Sequence, residues 1–396
     1  MNFKENESAT KLRGGYYTPP EIAKFLLRWV LTASPKTLLE PSCGNGTFFH
    51  VLTELDYSSL ESVVGFEIEP YEARKSEIEA AALKNLDCKI TNGDFLGWAL
   101  SQFQIAPLFD AIVGNPPFVR YQYLDKKTQA ITQAIYKHLR LNVTKHANAW
   151  VAFVVASLAL LKRGGRFAMV IPSELIHILY AEPLRAYLAQ TCSRILIFDP
   201  QELWFENTLQ GAILLLAEKK ETVESKSYGV SIIQTRDKSF LSQNPENFFQ
   251  QAKYANGETV QGKWTLAFLS DNERRILKDT QANVHVHSFD SIADVAVGIV
   301  TGANKFFLVP DTIVRQYDLS EWAHPMFGRS DHVPGIIYDK TAVERNRQLG
   351  LPTNFIWFPK DVITVLPAKV QEYIQFGESQ GLHTRYKCRI RTPWYS

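Results

Sequence analysis

Cysteine is scarce in this chain of 396 residues. The four cysteines, Cys43, Cys88, Cys192 and Cys388, lack the spacing of zinc ligands or of a redox pair. This scarcity excludes a disulfide framework and a cysteine-based metal site, so we expect no bound metal. A chain of this kind suits a reducing compartment, and we expect a cytoplasmic protein.

Long apolar runs and a strong net charge are also missing. The longest apolar run, 147–161, contains Asn148 and predicts a buried helix, so we expect no membrane partner. The first 11 residues lack the apolar core of a signal peptide. The net charge is only +2, so any nucleic-acid-binding surface has to be a local patch. The remaining composition, 45% hydrophobic and 21% charged, is ordinary for a globular chain of two domains.

The most informative stretch is Asn115-Pro116-Pro117-Phe118. It follows an apolar run, 111–113, that predicts a buried strand ending at Gly114. Proline cannot donate a hydrogen bond to a sheet, so the strand must stop at the two prolines. The sequence therefore predicts a rigid loop at the carboxyl edge of a sheet, where open α/β sheets bind their ligands.

This loop has the groups needed to activate an amino nitrogen on a base ring. Such a nitrogen is a poor nucleophile because its lone pair is delocalised. The Asn115 side-chain oxygen and the Pro116 carbonyl can accept hydrogen bonds from the amine and favour a pyramidal nitrogen. Phe118 can stack on the ring, and the prolines hold both acceptors in place. The alternative is an ordinary loop with a buried aromatic residue, which the motif alone leaves open.

A second motif lies between a short predicted strand, 37–40, and a helix. Strand, glycine-rich turn and helix form a nucleotide-binding opening, because glycines allow close approach and the helix start offers N–H groups. An acid, Glu40, precedes a G-x-G sequence here, which favours an uncharged or cationic nucleoside over a pyrophosphate. The residues of this turn are Pro41, Ser42, Cys43, Gly44 and Gly46.

Two further acids follow predicted strands. Glu67 ends the strand 63–67, roughly 20 residues after the glycines, where a ribose-diol acceptor is expected. Asp94 follows the strand 88–91 and could accept from an adenine amine, with Phe95 packed beside it. Each acid alone could be a surface residue, but acids at three successive strand ends indicate one rim of one sheet.

The two ends of the chain carry weaker signals. Residues 1–15 predict a leader. Thr18 is then expected as the N-cap of a helix, with Pro19 as its first residue and Glu21 completing a capping box. This element by itself could also be a well-capped surface helix.

A charged segment, 219–226, predicts a domain boundary. The following part contains short β-like runs, at 292–300, 306–309, 336–338 and 355–358.

Basic residues suggest two contacts with a phosphate backbone. Arg120 follows the Asn-Pro-Pro-Phe loop and either holds a phosphodiester strand or belongs to a solvated lid. Arg389 and Arg391 lie in the basic strip, residues 385–395, where cations alternate with aromatic residues and no acid occurs. The alternative for the basic strip is an unpaired basic tail.

The motifs in this order resemble the gamma-type, TaqI-like adenine-N6 DNA methyltransferases of restriction–modification systems. The resemblance implies a seven-stranded Rossmann-like α/β domain that binds S-adenosyl-L-methionine, over 16–220. In that fold the seventh strand is antiparallel and the first and fourth strands are neighbours. It also implies a mixed, β-rich target-recognition domain over 230–396. The chain ends inside what resembles a recognition-domain motif, so an incomplete recognition domain is left open.

The resemblance also implies roles for individual residues. Thr18 would lie near the methionine part of the cofactor, Glu40 to Gly46 would wrap it, and Glu67 would hold the ribose. Asp94 and Phe95 would contact the cofactor adenine. The implied catalytic residues are Asn115, Pro116, Pro117 and Phe118, where Phe118 replaces the commoner tyrosine. Phe205 matches a second aromatic residue that would stack on the target base.

The implied partners are double-stranded DNA and a separately encoded restriction endonuclease, with the chain a monomer in a bacterial or archaeal cytoplasm. The same Asn-Pro-Pro-aromatic loop also occurs in enzymes that methylate RNA bases or a protein glutamine. A subunit that only binds nucleic acid is a further alternative, against which the intact loop argues. The Thr18 element and the long C-terminal region favour DNA.

Overall fold

The computed structural model describes residues 17–105, 107–144, 147–201, 211–255, 262–294, 298–333, 335–359 and 366–396. The chain divides into two compact units, Met1–Asn283 and Val284–Ser396. The predicted leader and Phe205 lie outside the described residues.

The first unit alternates strands and helices along most of its length. Its strands are β1 Thr37–Glu40, β2 Ser62–Glu67, β3 Asp87–Asn92, β4 Phe109–Gly114, β5 Leu161–Pro172, β6 Cys192–Pro200, β7 Ala212–Lys219 and β8 Gly229–Thr235. Its α-helices are Pro20–Leu31, Thr47–Leu52, Pro70–Ala80, Phe95–Gln102, Lys126–His138, Ala149–Leu160, Glu174–His177, Glu182–Thr191, Pro245–Gln251 and Asp271–Gln281. This alternation is typical of a parallel sheet covered by helices.

In the described residues, eight strands form one sheet, the main sheet, in the order β3-β2-β1-β4-β5-β7-β6-β8. β1 pairs in parallel with both β2 and β4, and β7 is antiparallel to β5 and β6. The expected antiparallel seventh strand and the adjacent first and fourth strands are therefore confirmed. The strand order reverses between β1 and β4, the point at which open α/β sheets bind ligands.

Hydrophobic cores lie on both faces of the main sheet. On one face, the helix Ala149–Leu160 is buried around nearly its whole circumference and contributes Trp150 to the core. On the other face, Phe25 and Trp29 of the helix Pro20–Leu31 are fully buried. Because both faces are covered, three consecutive residues of β4, Ala111, Ile112 and Val113, are all apolar and fully buried rather than alternating. No helix among the described residues is long and apolar enough to cross a membrane.

The first helix begins one residue later than the sequence suggested. Its N-cap is Pro19 rather than Thr18, and no side chain caps it. The Pro19 carbonyl instead accepts from the N–H groups of Ile22 and Ala23. Proline suits the first helical position because it lacks the N–H that would be unsatisfied there, so Pro20 starts the helix. The predicted capping residue Glu21 pairs with Lys238 at 2.9 Å.

The first unit extends past the boundary predicted between 220 and 230. The charged segment after β7 is an exposed turn that leads into β8, an eighth strand parallel to β6. Residues 229–283 therefore belong to the first unit. The charged turn had the composition of a linker, but its length and polarity suit a surface connection equally well.

Ionic and aromatic contacts hold the segment after β8 to the first unit. The Arg166 guanidinium, which is largely buried, binds both carboxylate oxygens of Glu246, at 2.6 and 3.2 Å. Phe240 stacks on Phe198 of β6, with ring centroids 4.9 Å apart, and packs edge-on against Phe25. These contacts join residues far apart in the sequence, which is why composition did not reveal them.

The second unit is mixed, as expected. Its helices are Asn304–Phe307, Asp311–Gln316, Lys340–Gln348, Ala368–Ser379 and Tyr386–Arg389, and its strands are β9 Leu308–Val309, β10 Ala323–Pro325 and β11 Asn354–Ile356. In the described part of this unit, three strands form an antiparallel sheet in the order β10-β11-β9. The core includes Phe306 stacked on Tyr373, with centroids 4.5 Å apart.

Helices take more of the second unit than the β-like runs suggested. Within the predicted run 306–309, the two phenylalanines end a short helix before β9 begins. The run 336–338 forms no strand. Short apolar runs of this length occur in buried helices as well as in strands, so periodicity alone does not separate the two.

Candidate active site

The predicted site residues of the first unit meet at the carboxyl edge of the main sheet. Glu40 ends β1, Glu67 ends β2, and Asn115 directly follows β4. Because β1 is paired in parallel with β2 and β4, the three strands end on the same side. This rim forms where the strand order reverses, as the sequence predicted for a ligand site.

The glycine-rich turn is held between β2 and the helix Pro70–Ala80. The Cys43 N–H donates to the Phe66 carbonyl at 2.8 Å, and the Ser76 hydroxyl donates to the Gly44 carbonyl at 2.9 Å. Gly44 and Gly46 both have positive φ, and a Cβ on Gly46 would lie 2.9 Å from the Ser76 Cα. The two glycines are therefore required by backbone conformation and close packing.

Glu67 is oriented by two backbone N–H groups. Its Oε2 accepts from Gly44 at 2.8 Å and its Oε1 accepts from Glu69 at 2.9 Å. The Asn92 amide donates to the Glu67 carbonyl at 2.9 Å and fixes the backbone there. Each carboxylate oxygen has capacity for a further donor, so this arrangement suits the predicted contact with ribose hydroxyls.

Glu40 is buried much more completely. Its side chain is 1% exposed, and its Oε2 has no hydrogen-bond partner. Burial, together with the negative charge of Glu67, raises the pKa of Glu40 well above its usual value. A buried acceptor without a donor fits a ligand that brings an N–H group or a positive charge. S-adenosylmethionine is such a ligand, so the residues present fit the cofactor that the sequence implied.

Cys43 lies in the same turn but is not a reactive thiol. It is fully buried, and burial raises the pKa of its thiol well above the usual value. Its sulfur lies 3.6 Å from the backbone carbonyl of Glu40, to which it donates. The neutral thiol therefore packs in the turn and has a structural part in the predicted cofactor site.

Two contacts join the glycine-rich turn to the Asn-Pro-Pro-Phe loop. The Ser42 hydroxyl donates to the Asn115 backbone carbonyl at 3.1 Å. A Cβ on Gly114 would lie 3.2 Å from Pro41 Cδ, so the absence of a side chain lets the two segments approach. Pro116 is buried, whereas Asn115 and Phe118 are partly exposed. The loop thus reaches the rim with a fixed backbone.

The chain beyond Phe118 is anchored to the start of the helix Ala149–Leu160. The Ala149 N–H donates to the Val119 carbonyl at 2.7 Å, and Arg120 forms an antiparallel bridge with Asn148. Phe118 itself packs against the cores on both faces of the main sheet. Arg120 is exposed, and its contact with a phosphodiester stays a prediction.

Asp94 and Phe95 both have structural tasks. The Asp94 carboxylate caps the helix Phe95–Gln102 by accepting from the Leu96 N–H at 3.0 Å. Phe95 is 2% exposed and packs against Phe66 and Phe153, at centroid distances of 5.6 and 5.5 Å. Phe95 thus packs in the core, and its contact with the cofactor adenine stays a prediction. The contact of Asp94 with an adenine amine stays a prediction.

Tyr17 is a site residue that the sequence reasoning did not single out. A Cβ on Gly44 would lie 3.6 Å from the Tyr17 ring, which is 43% exposed. Burial and a hydrogen bond to Glu72 raise the pKa of Tyr17. In the sequence, the available sign that Tyr17 belongs to the site was its position next to Thr18, a predicted site residue that is buried in the structure. Tyr17 therefore forms part of the wall beside the glycine-rich turn.

In the second unit, the residues of the basic strip differ in their surroundings. Arg389 is exposed. Arg391 donates to the Val300 carbonyl and lies over the Phe307 ring, with its guanidinium carbon 5.5 Å from the ring centroid. The Trp394 indole donates to Glu378 at 3.0 Å. The strip is therefore partly built into its own unit and is not a loose tail.

A sheet of this strand order, with an acid and a G-x-G turn at its switch point, is the fold of the S-adenosylmethionine-dependent methyltransferases. The Asn-Pro-Pro-aromatic loop occurs in those that methylate amino nitrogens. Comparison with family models agrees with this class. The N-6 DNA Methylase model matches residues 2–295, and the model of the type II methyltransferase M.Eco57I C-terminal domain matches residues 261–396. The chain belongs to the N-6 DNA methylase family.

Individual relatives are distant and longer than this chain. The type II methyltransferase M.AccI of Acinetobacter calcoaceticus is 23% identical over 390 residues, which cover 96% of this chain and 68% of the relative. M.HindII of Haemophilus influenzae is 24% identical over 334 residues, or 79% of this chain and 58% of the relative. The chain thus spans about two thirds or less of these relatives.

Two solved structures share the fold at low sequence identity. A DrdV–DNA complex has a TM-score of 0.58 and 14% identity, over 91% of this chain and 45% of that chain. The type IIG restriction endonuclease BpuSI has a TM-score of 0.50 and 14% identity, over 98% of this chain and 48% of that chain. At these identities the likeness concerns the fold alone.

Proposed function

We propose that the chain transfers a methyl group from S-adenosylmethionine to the exocyclic N6 amine of a flipped adenine in duplex DNA, at a specific sequence. The observation that carries this proposal is the hydrogen bond between Ser42 and the Asn115 carbonyl. It joins the predicted cofactor turn to the predicted catalytic loop. The methyl donor would therefore lie next to the amine that accepts the methyl group. The match of residues 2–295 to the N-6 DNA Methylase model supports DNA as the substrate, and relatives such as M.AccI and M.HindII are named type II methyltransferases.

The cofactor would lie against the rim of the main sheet. Glu67 would accept from the ribose hydroxyls, Glu40 would face positive charge, and the backbone from Gly44 to Gly46 would line the turn. Tyr17 would cover the turn from the side. S-adenosylmethionine supplies the electrophilic methyl group when it is bound, and the amine takes it without a covalent enzyme intermediate.

The Asn-Pro-Pro-Phe loop would make the amine nucleophilic. The Asn115 side-chain oxygen and the Pro116 carbonyl would accept hydrogen bonds from its two N–H groups and favour a pyramidal nitrogen, from a backbone that Pro117 helps to fix. A base stacked in a duplex cannot reach this edge, so the adenine must flip out. Phe118 would then stack on it, and Phe205 is proposed for its other face. The proton can leave to water after transfer, so no histidine or cysteine base is needed.

The second unit would supply target recognition. The match of residues 261–396 to the M.Eco57I C-terminal domain supports this role, and Arg389 is an exposed cation that we propose to contact the phosphate backbone. We propose a cytoplasmic monomer that works with a separately encoded restriction endonuclease in a restriction–modification system.

The test is methyl transfer from labelled cofactor to duplex DNA, RNA and protein in parallel, followed by identification of the modified base. We expect label in DNA as N6-methyladenine and sequencing to place it at one short site. Label that appears in RNA or protein instead, or a modified base without an amino-linked methyl group, contradicts the proposal.

A further inference from the structure

Glu40 has an environment unlike that of the neighbouring acid on the rim. Glu67 accepts from two backbone N–H groups, whereas the Oε2 of Glu40 accepts from none and its side chain is 1% exposed. Glu40 also ends β1, the central strand of the predicted cofactor site, where it pairs with Gly65. A buried carboxylate oxygen without a donor is rare, and it calls for a partner that arrives with a ligand.

Among the residues that the structure describes, none is found to bring a positive charge to the Glu40 carboxylate. In the described part of the chain, the charge that acts on it is that of Glu67, which is negative. The thiol of Cys43, in the adjoining turn, is neutral because burial raises its pKa. The negative charge of Glu67 also contributes to the raised pKa of Tyr17, which interacts with Glu72 and Lys75 as well. Lys75 is itself bound to Glu72 at 3.0 Å.

We propose that Glu40 holds a proton in the cofactor-free protein and releases it to solvent when the positively charged cofactor binds, so that its carboxylate becomes the counter-ion of the cofactor. The inference rests on the proposed cofactor, S-adenosylmethionine, which carries sulfonium and ammonium charges. The O–H bond of the Glu40 carboxyl breaks, the proton passes to water, and no other bond changes.

Cofactor affinity then depends on pH in a defined direction. Burial raises the pKa of Glu40 in the free protein, and a cation beside it lowers the pKa in the complex. Between these two pKa values, binding releases up to about one proton and affinity rises with pH, by up to about tenfold per pH unit. Outside that window Glu40 contributes no pH dependence.

The direct test is calorimetry of S-adenosylmethionine binding without DNA, in buffers of different ionisation enthalpy, between about pH 5 and about pH 7. We expect wild type to release up to about one proton more than Glu40→Gln, which imitates the protonated side chain. The amino group of the free cofactor titrates at about pH 7.7–8.0, so the two proteins are compared below about pH 7, where this group is protonated both free and bound. Glu77→Gln is the matched control, because Glu77 lies on the helix Pro70–Ala80 and pairs with Arg74. It should behave as wild type.

Thermal unfolding of the cofactor-free proteins gives a second readout. A carboxyl whose pKa is raised by folding stabilises the protein fully below its unfolded pKa, and this stability is lost as pH rises through the folded pKa. Glu40→Gln lacks that loss, so its Tm relative to wild type should increase with pH. Equal proton release by wild type and Glu40→Gln, or a Tm difference that does not change with pH, overturns the inference.

The two proposals fail separately. A wild-type protein that methylates DNA but shows no Glu40-dependent proton release overturns the inference and leaves the proposed function standing. A protein that binds cofactor with the expected proton release but modifies no DNA supports the inference and overturns the proposed substrate.

Discussion

The rim of the main sheet and the basic strip were both predicted to bind ligands, but the structure holds their side chains in different ways. On the rim, backbone N–H groups orient Glu67, and the Ser42 hydroxyl binds the backbone at Asn115. In the basic strip, Arg391 and Trp394 are themselves bound to groups of their own unit. On the rim the scaffold orients residues toward a ligand, whereas part of the strip is used as scaffold.

This difference shows that residue type alone overestimates how many aromatic residues are available to contact a ligand. Cations alternating with aromatic residues are common where proteins bind nucleic acid strands, yet here Trp394 packs on Phe306, with ring centroids 5.0 Å apart. Phe95 on the rim is a parallel case, since its ring packs in the core. Aromatic residues gain more from burial than from exposure, so core packing competes with every predicted stacking role.

The largest expected effect comes from the catalytic loop. Asn115→Ala should lower the methylation rate by orders of magnitude, because one of two acceptors for the amine is lost, and should leave cofactor affinity unchanged. Single-turnover kinetics and calorimetry measure the two quantities. Asn142→Ala, at an exposed loop position, is the matched control. Methylation by Asn115→Ala at the wild-type rate would remove the loop from the chemistry.

Glu67 should have the next largest effect, on binding of the cofactor. Glu67→Ala removes the predicted ribose acceptor and also releases the Gly44 N–H. We expect S-adenosylmethionine binding to weaken by roughly 1–3 kcal/mol, measured by calorimetry on a variant shown to be folded. Glu77→Ala should bind as wild type. Unchanged affinity in Glu67→Ala would place the ribose elsewhere on the rim.

Substitutions at Phe118 test whether its ring stacks on the target base or only packs in the protein. Phe118→Ala should weaken binding of a flipped base by roughly 1–3 kcal/mol and cost less activity than Asn115→Ala. Phe118→Tyr and Phe118→Trp should keep most activity, because the ring face is retained. A DNA duplex with a gap opposite the target adenine should bind more tightly, since flipping then costs less. If Phe118→Tyr were as inactive as Phe118→Ala, stacking would not explain the role of this residue.

The smallest effects should separate two arginines of the basic strip. Arg389→Ala should weaken DNA binding across sequences and reduce the salt slope by about one, because an exposed phosphate contact is lost. Arg391→Ala should instead lower the stability of the second unit by roughly 1 kcal/mol, through loss of its bond to the Val300 carbonyl. Filter binding at several salt concentrations and thermal unfolding measure the two effects. If both variants changed only the salt slope of DNA binding, Arg391 would have the same role as Arg389 and the predicted difference between them would be wrong.

The features that could be predicted from the sequence are those that a few adjacent residues determine. The strand before Asn115 ends because prolines cannot donate hydrogen bonds to a neighbouring strand. The turn after β1 was recognisable from its glycines, because its backbone has positive φ at Gly44 and Gly46 and glycine adopts positive φ readily. The helix start was misplaced by one residue, since Pro19 and Thr18 both suit a helix terminus and local propensity differs little between them. The order of elements and the composition of the rim followed from such patterns.

Contacts between distant residues set the features that local pattern missed. The segment after β8 joins the first unit because Glu246 meets the buried Arg166, 80 positions away in the chain, and no composition window can register that pair. Glu40 was identified as an acid at a strand end, but its unpaired oxygen arises from the strands and the turn that surround it. Sequence pattern thus placed the chemical groups along the chain, whereas packing decided their burial, and burial controls the charge state of a carboxyl group.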